Sequence, residues 1–279
     1  MDIKLFLCPT PIGNLGDITE RTLEVLKDVD IIAAEDTRNT LRLLNHFDIH
    51  SKLTSYHEHN KYEKASELVD MMLAGKTVAC VTDAGTPGIS DPGEILVRKA
   101  IDAGIGVTSL PGATAFVSAL TVSGLSTGRF VFEGFLPKEK KERRCILESV
   151  KDEARTIIFY EAPHRLRDTL SVLASVFGGG RRIALCRELT KVHEEVLRST
   201  LEEAVSYYTQ NEPRGEYVLV IEGRPFHEIE EEKREAYADI SIEEHVSMYE
   251  AKGFGRKEAM KKAAADRGVL KRDIYNALL

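Results

Sequence analysis

Short apolar runs that do not alternate are the strongest constraint on how this chain can fold. Residues 4–8, 31–34, 77–82 and 106–110 are dominated by apolar or β-branched side chains, and helical patterns lie between them. Strands with both faces buried read this way, and such strands belong to parallel sheets covered by helices. After the first run, Asp17 is read as the cap of a helix, with Glu20 three residues on and Leu23, Val25 and Leu26 inside it. A second helix is predicted over 62–73, stopped by Gly75. Residues 131–136 read as the last strand of this unit. The fold class is α/β, and the first domain is placed at 1–136.

A Pro-initiated basic stretch, Pro137 to Arg144, opens a second α/β domain at 137–224. Strands are predicted over 156–160, 182–187, 195–200 and 217–222, with helices over 166–177 and 201–208. Their closer spacing predicts a mixed sheet. Beyond Gly223 the character changes again, and 225–279 is read as a small helical extension. An acidic linker over 227–235 precedes helical stretches at 241–251, 256–267 and 271–278, separated by Gly253, Gly255 and Gly268.

Composition enters as a set of exclusions. With 43% hydrophobic and 30% charged residues among 279, the chain is globular rather than disordered. No apolar run approaches the ~20 residues of a membrane helix. The start has no basic segment and meets Pro9 and Pro11 at once, so it is not read as a signal peptide. Cys8, Cys80, Cys145 and Cys186 stand far apart and read as reduced, mostly buried thiols, with no metal-site spacing. A cytosolic location is expected. The net charge of −7 argues against a general nucleic-acid coat, but residues 252–272 carry eight basic and two acidic side chains, a local +6 that leaves −13 elsewhere.

Three loops follow three strands of the first domain: Thr10 to Gly16, Thr82 to Gly93 and Pro111 to Ala115, all rich in Gly, Pro and small polar residues. Ligands bind at the carboxyl ends of strands in open α/β sheets, where Gly admits close approach and small hydroxyls supply donors. Any one such loop reads as an ordinary turn; three in one domain point to a binding site. The phosphate-cradling Gly-x-x-x-x-Gly-Lys-Ser/Thr loop is absent. So is a Gly-x-Gly-x-x-Gly after the first strand.

The strings themselves carry a resemblance. Pro9-Thr-Pro-Ile-Gly-Asn-Leu-Gly-Asp-Ile-Thr19, Ala34-Glu-Asp-Thr-Arg38, Asp83-Ala-Gly-Thr-Pro-Gly-Ile-Ser-Asp-Pro-Gly93, Pro111-Gly-Ala-Thr114, Phe159-Tyr-Glu-Ala-Pro-His-Arg165, Arg187-Glu-Leu-Thr-Lys191 and Pro213-Arg-Gly-Glu-Tyr217 closely resemble, in order, the ribosomal RNA small-subunit methyltransferase I family. That family is similar in fold to the tetrapyrrole methylases. The resemblance implies two α/β domains with S-adenosylmethionine in the cleft between them, a homodimer, and 2′-O-methylation of a cytidine in 16S rRNA of the small ribosomal subunit or its assembly intermediate. It also implies cofactor contacts at Pro11 and Gly13, at Asp83, Ala84, Gly85 and Ser90, and at Thr114 and Ala115. Tyr160 and Glu188 are expected to face the cleft from the second domain.

Asp83 has the chemistry to accept from a ribose hydroxyl or the methionine ammonium, or to cap the following turn. A ribose hydroxyl is a weak nucleophile, so a base beside it would help; Glu35, Asp36, Glu161 and His164 are the candidates, each with a capping or ion-pair role as the alternative. Arg38 and Arg165 are candidate RNA-phosphate ligands, with Lys257 and Lys261 in the basic tail. The tail reads equally as an RNA-contacting helix-turn-helix or as a helical hairpin with a solvated basic face. His57 and His59 resemble a metal pair without a third ligand, and no metal is expected. A tetrapyrrole methylase and a non-catalytic ribosome-binding module are the competing readings.

Overall fold

Both faces of the first sheet are buried, which is why its strands do not alternate. In the computed structural model, which describes residues 2–225, 228, 231, 235–237 and 239–278, this sheet comprises β1 (Ile3–Leu7), β2 (Ile31–Ala34), β3 (Leu53–Ser55), β4 (Val78–Val81) and β5 (Gly106–Ser109). The order is β3-β2-β4-β1-β5 and every pair is parallel. Leu5, Leu7, Val78 and Cys80 face one helical layer with Leu68 and Leu96, while Ile32, Ala34, Ala79 and Val81 face the other with Leu26 and Leu44. The helices are α1 (Glu20–Asp28), α2 (Thr37–His46), α3 (Lys61–Leu73), α4 (Gly93–Asp102) and α5 (Ala115–Val122).

Two details differ from the sequence reading. Asp17 does not cap α1. It ends a one-turn 3-10 helix, Leu15–Asp17, and Thr19 is the cap, its hydroxyl accepting the Thr22 N–H at 3.1 Å. The expected list also lacks α2 and β3. The first is an amphipathic helix capped by Asp36 that buries Thr40 and Leu44, and the second is three residues long, too short to show a period.

A larger difference concerns the strand expected to close the first domain. That strand, β6 (Phe130–Phe135), is the edge of the second sheet, so the first layer ends before Phe130. The cause lies in α5, whose sequence AFVSALTV is apolar nearly all round. Such a helix must be covered on more than one side. Ala119 and Leu120 bury against Ile158, Ala184 and Val218 of the second sheet, and Phe116 stacks on Phe132 of β6 at 4.5 Å. The chain has therefore crossed over by the end of α5.

The second sheet runs β6-β7-β10-β8-β9, with β7 (Thr156–Glu161), β8 (Arg182–Arg187), β9 (Glu195–Thr200) and β10 (Tyr217–Ile221). Only β6 and β7 are parallel, which makes the sheet mixed. Helices α6 (Lys140–Val150), α7 (Pro163–Phe177) and α8 (Leu201–Gln210) cover its outer face.

The expected acidic linker falls mostly outside the described residues. After it, α9 (Ile242–Ala251), α10 (Arg256–Asp266) and α11 (Lys271–Ala277) bury a core of their own built from Val246, Ala259, Met260, Ala263, Ala264 and Ile274. Cys8, Cys80 and Cys186 are buried, while Cys145 is exposed on α6. Burial pushes the Cys8 and Cys186 thiols up to about 12, which leaves them unreactive. Among the described residues, no helix is long and apolar enough to cross a membrane.

Candidate active site

The three Gly/Pro-rich loops converge because their own backbones and hydroxyls stitch them together. Thr10 and Gly85 exchange both backbone hydrogen bonds at 3.0 Å, and the Thr10 hydroxyl donates to the Thr82 carbonyl. Thr86 donates to the Ala113 carbonyl and shares a 2.7 Å hydrogen bond with the Thr114 hydroxyl. Asp91 folds the second loop back by accepting the N–H groups of Gly88 and Gly93. The first loop then clasps the second sheet's domain: the Asn14 N–H donates to the Thr190 hydroxyl at 3.0 Å. A Cβ at Gly13 would lie 2.4 Å from the Lys191 side chain and 2.7 Å from the Thr190 hydroxyl, so glycine is what lets the loops close on each other.

Between the two sheets lies a cleft of about 480 Å³. One wall is apolar, with Ile12, Ile89, Leu189 and Val218, and with Phe135 and Tyr160 in ring contact at 5.3 Å. Burial raises the Tyr160 hydroxyl above its ordinary value. Among the described residues the polar lining is strongly one-signed: Glu35, Asp83, Asp91, Glu161, Glu188 and Glu216 against the cation Lys191. Burial, then the neighbouring Glu35 charge, hold Asp83 above the usual carboxylate range, and burial does the same for Asp91. Such a site selects a cation with an apolar body and disfavours polyphosphates.

Backbone strain concentrates here as well. Among the described residues four non-glycine positions have positive φ, and Ser90 (62°) and Glu188 (50°) line the cleft while Thr190 (65°) makes the clasp. Strained conformations persist where surrounding contacts over-determine them. Glu188 is held by the Glu216 N–H at 2.9 Å and by Lys191 at 2.8 Å. These bonds aim it across the cleft from the first domain's loops.

The residues singled out in the sequence divide clearly. Glu35, Asp83, Ala84, Gly85, Ser90, Thr114, Ala115, Tyr160, Glu161 and Glu188 line the cleft. Pro11 and Gly13 face a neighbouring cavity instead, and Ile12 between them is the one turned into the cleft. Asp36 caps α2 and is bound two-pronged by Arg38, whose guanidinium holds its carboxyl down to about 2. Arg38 is thereby paired. His164 is exposed in the first turn of α7 and does not line the cleft. Arg165 donates to the carbonyls of Leu136 and Pro137 and lies 3.5 Å from Glu161, so it ties α7 to the end of β6. Glu161 is 1% exposed with both oxygens occupied, by the Thr169 hydroxyl and the Ala162 N–H. Sequence reasoning missed Asp91, Phe135, Leu189, Lys191, Glu216 and Val218; Asp91, Leu189, Lys191 and Glu216 all stood in the quoted strings.

His57 and His59 meet edge to face at 5.9 Å, and among the described residues no third ligand joins them. In the tail, Lys257 and Lys261 are exposed. Lys262 lies over the Phe254 ring, Arg256 pairs with Glu250, and Arg267 bonds His245 and the Ile240 carbonyl, so part of the basic excess is structural.

Comparison with known proteins agrees with this architecture. The family model for tetrapyrrole (corrin/porphyrin) methylases matches residues 4–205. Ribosomal RNA small subunit methyltransferase I of Halalkalibacterium halodurans is 53% identical over 98% of this chain and 93% of its own length. The Bacillus subtilis protein of that name is 48% identical over 98% of this chain and 93% of its own length, and that of Escherichia coli O157:H7 44% over 99% and 94%. Among solved structures, the methyltransferase CobJ superposes with a TM-score of 0.61 at 18% identity, covering 80% of this chain and 95% of that one. The cobalt precorrin-4 methyltransferase CbiF gives 0.58 at 16% identity, covering 78% and 94%.

Proposed function

Since this chain belongs to the tetrapyrrole methylase family, and within it to the ribosomal RNA small subunit methyltransferase I relatives, we propose that it transfers a methyl group from S-adenosylmethionine to the 2′-oxygen of a cytidine ribose in 16S rRNA. The observation that carries the cofactor is the cleft itself: an apolar, aromatic wall facing six carboxylates and one ammonium. S-adenosylmethionine has an apolar adenine, a ribose with hydroxyl donors, an ammonium and a sulfonium, and every one of these finds its complement there. Phe135, Tyr160 and Ile89 would cover the adenine, and Asp83 would accept from the ribose hydroxyl or the ammonium.

When bound, the cofactor supplies an already activated methyl group, so the chain's own task is positioning and proton handling. A bond forms between the ribose oxygen and the methyl carbon as the sulfur–carbon bond breaks, and the hydroxyl proton must leave. Glu35 is the one of the four candidate bases that lines the cleft with an oxygen to spare. Its Oε2 accepts from Thr82 at 2.7 Å, while its Oε1 has no protein donor among the described residues.

The RNA substrate is supported by the relatives' names and by the extent of the match. Those relatives align with 97–99% of the chain, whereas the solved structures cover 78–80% of it. The share left over corresponds in length to residues 225–279, the part that carries the basic tail. We place the protein in the cytosol as a homodimer, in keeping with the family resemblance.

Two experiments test these assignments. Asp83→Ala should weaken S-adenosylmethionine binding by ~1–3 kcal/mol in calorimetry. Wild-type affinity should fall on acidification, starting above the ordinary carboxylate range, because Asp83 takes up its proton there. An unchanged affinity would remove Asp83 from the site. Truncation near Glu235 should leave folding and cofactor binding intact, since the tail core is separate. It should weaken small-subunit binding. Lys252, Lys257, Lys261, Lys271 and Arg272 are exposed tail cations that form no ion pair among the described residues, so the slope of log affinity against log salt should become shallower by up to about 3.5. Equal slopes for both chains would reduce the tail to a helical hairpin.

A further inference from the structure

A second cavity of about 350 Å³ opens beside the cofactor cleft and shares Thr82 and Asp83 with it. Its character is opposite. Among the described residues Asp83 is its one acid, and Asn39, Arg42 and His46 line it from one side of α2. These three residues are spaced i, i+3, i+7, which puts them on a single helix face. Leu15 and Leu43 give it an apolar floor, and Thr10, Pro11 and Gly13 of the first loop form the facing edge. Arg42 is exposed and has no carboxylate partner among the described residues. Arg38, one turn earlier, is consumed by Asp36.

Polarity therefore changes in order along α2. Asp83 stands at the shared wall, and the Asn39 amide bonds it at 3.3 Å. Residue Arg42 follows about 4.5 Å further along the helix axis at 1.5 Å per residue, and His46 about 6 Å beyond that. A nucleotide has the same sequence of chemistry, with a neutral ribose hydroxyl next to a phosphodiester. A polyanion would be repelled by the acidic cleft, so only the ribose edge can approach it, and the adjoining charge needs a separate receptor.

We infer that this second cavity is a phosphodiester subsite: Arg42, with Asn39 and His46 as donors, receives the RNA backbone phosphate adjoining the acceptor ribose. This rests on the RNA reading above and names the element that would present the ribose to Glu35. A guanidinium pairs two-pronged with a phosphate, so arginine here is worth more than a bare positive charge.

The test uses the full chain and purified small ribosomal subunits. Wild-type transfer of methyl from S-adenosylmethionine to the subunits is measured first, and its absence would sink the RNA reading itself. Given transfer, Arg42→Ala should raise KM for subunits about tenfold and reduce the salt slope of binding by about 1, while the affinity for S-adenosylmethionine stays unchanged. Arg42→Lys should restore the salt slope but only part of the affinity. Arg42→Glu should be worse than alanine. Unchanged KM and slope in both Arg42→Ala and Arg42→Glu would overturn the subsite, as would a parallel loss of cofactor affinity, which would assign the cavity to the cofactor instead.

Discussion

Replacing Glu161 by alanine should destabilise the protein by about 3–5 kcal/mol, the cost of removing one member of a buried, charge-assisted network. Glu161 is 1% exposed, and its carboxylate accepts from the Thr169 hydroxyl at 2.5 Å and the Ala162 N–H at 2.8 Å, with Arg165 at 3.5 Å. Thr169 is itself fully buried, so its hydroxyl would lose its acceptor with no water to replace it. Arg165 would keep its carbonyl partners but lose its counter-charge. In a chain of this size the melting temperature should fall by roughly 6–20 °C, at 2–4 °C per kcal/mol. Glu161→Gln retains an acceptor for the Ala162 N–H and should cost less. Thermal and denaturant unfolding of both variants checks this. A stable Glu161→Ala protein that had lost only its methyl transfer would mean that Glu161 acts in the reaction.

Replacing Glu35 by glutamine should cut turnover by roughly 10²–10⁴-fold, the usual loss for a general base, while cofactor affinity stays within about twofold. Among the candidate bases, Asp36 is held down to about 2 by its pairing with Arg38, which makes it a poor proton acceptor. His164 stands outside the cleft and Glu161 has no free oxygen. Glutamine keeps the Glu35 shape and can still meet the Thr82 hydroxyl, so a folding defect is not expected. Single-turnover transfer to small subunits, with Asp36→Asn and His164→Ala run alongside, reads the difference. Near-normal rates in the Glu35 variant would leave positioning as the source of catalysis. A large loss in His164→Ala would move the base to α7.

Much of the fold was legible because burial on both faces leaves a signature that needs no tertiary knowledge. The strands at Ile31–Ala34 and Arg182–Arg187 coincide with runs read from the chain and are buried along most of their length. Short elements escaped for the converse reason. The three-residue β3 is too short to impose a period. The residues named in the second and third loops, Asp83, Ala84, Gly85, Ser90, Thr114 and Ala115, stood in the strings and line the cleft. Pro11 and Gly13 were also found, but their place is the clasp and the second cavity, because the first loop crosses toward Thr190 instead of lying along the cleft.

By itself, the sequence determined the parallel first sheet, the mixed second one, the loops at the carboxyl ends of the strands and the family. All of these rest on local pattern or on contiguous strings. Only the tertiary structure decided which sheet β6 joins, since its apolar residues suit either and the all-round apolar α5 carries the chain across. It also decided the roles of like-charged neighbours. Glu35 and Asp36 are adjacent in the chain, yet one lines the cleft and the other is spent on a helix cap. Arg38 and Arg42 lie one turn apart, yet only Arg42 lacks a charge partner among the described residues. A side chain's charge is written in the sequence, but whether that charge is available depends on partners brought within a few ångströms by folding, and a linear pattern does not encode those distances.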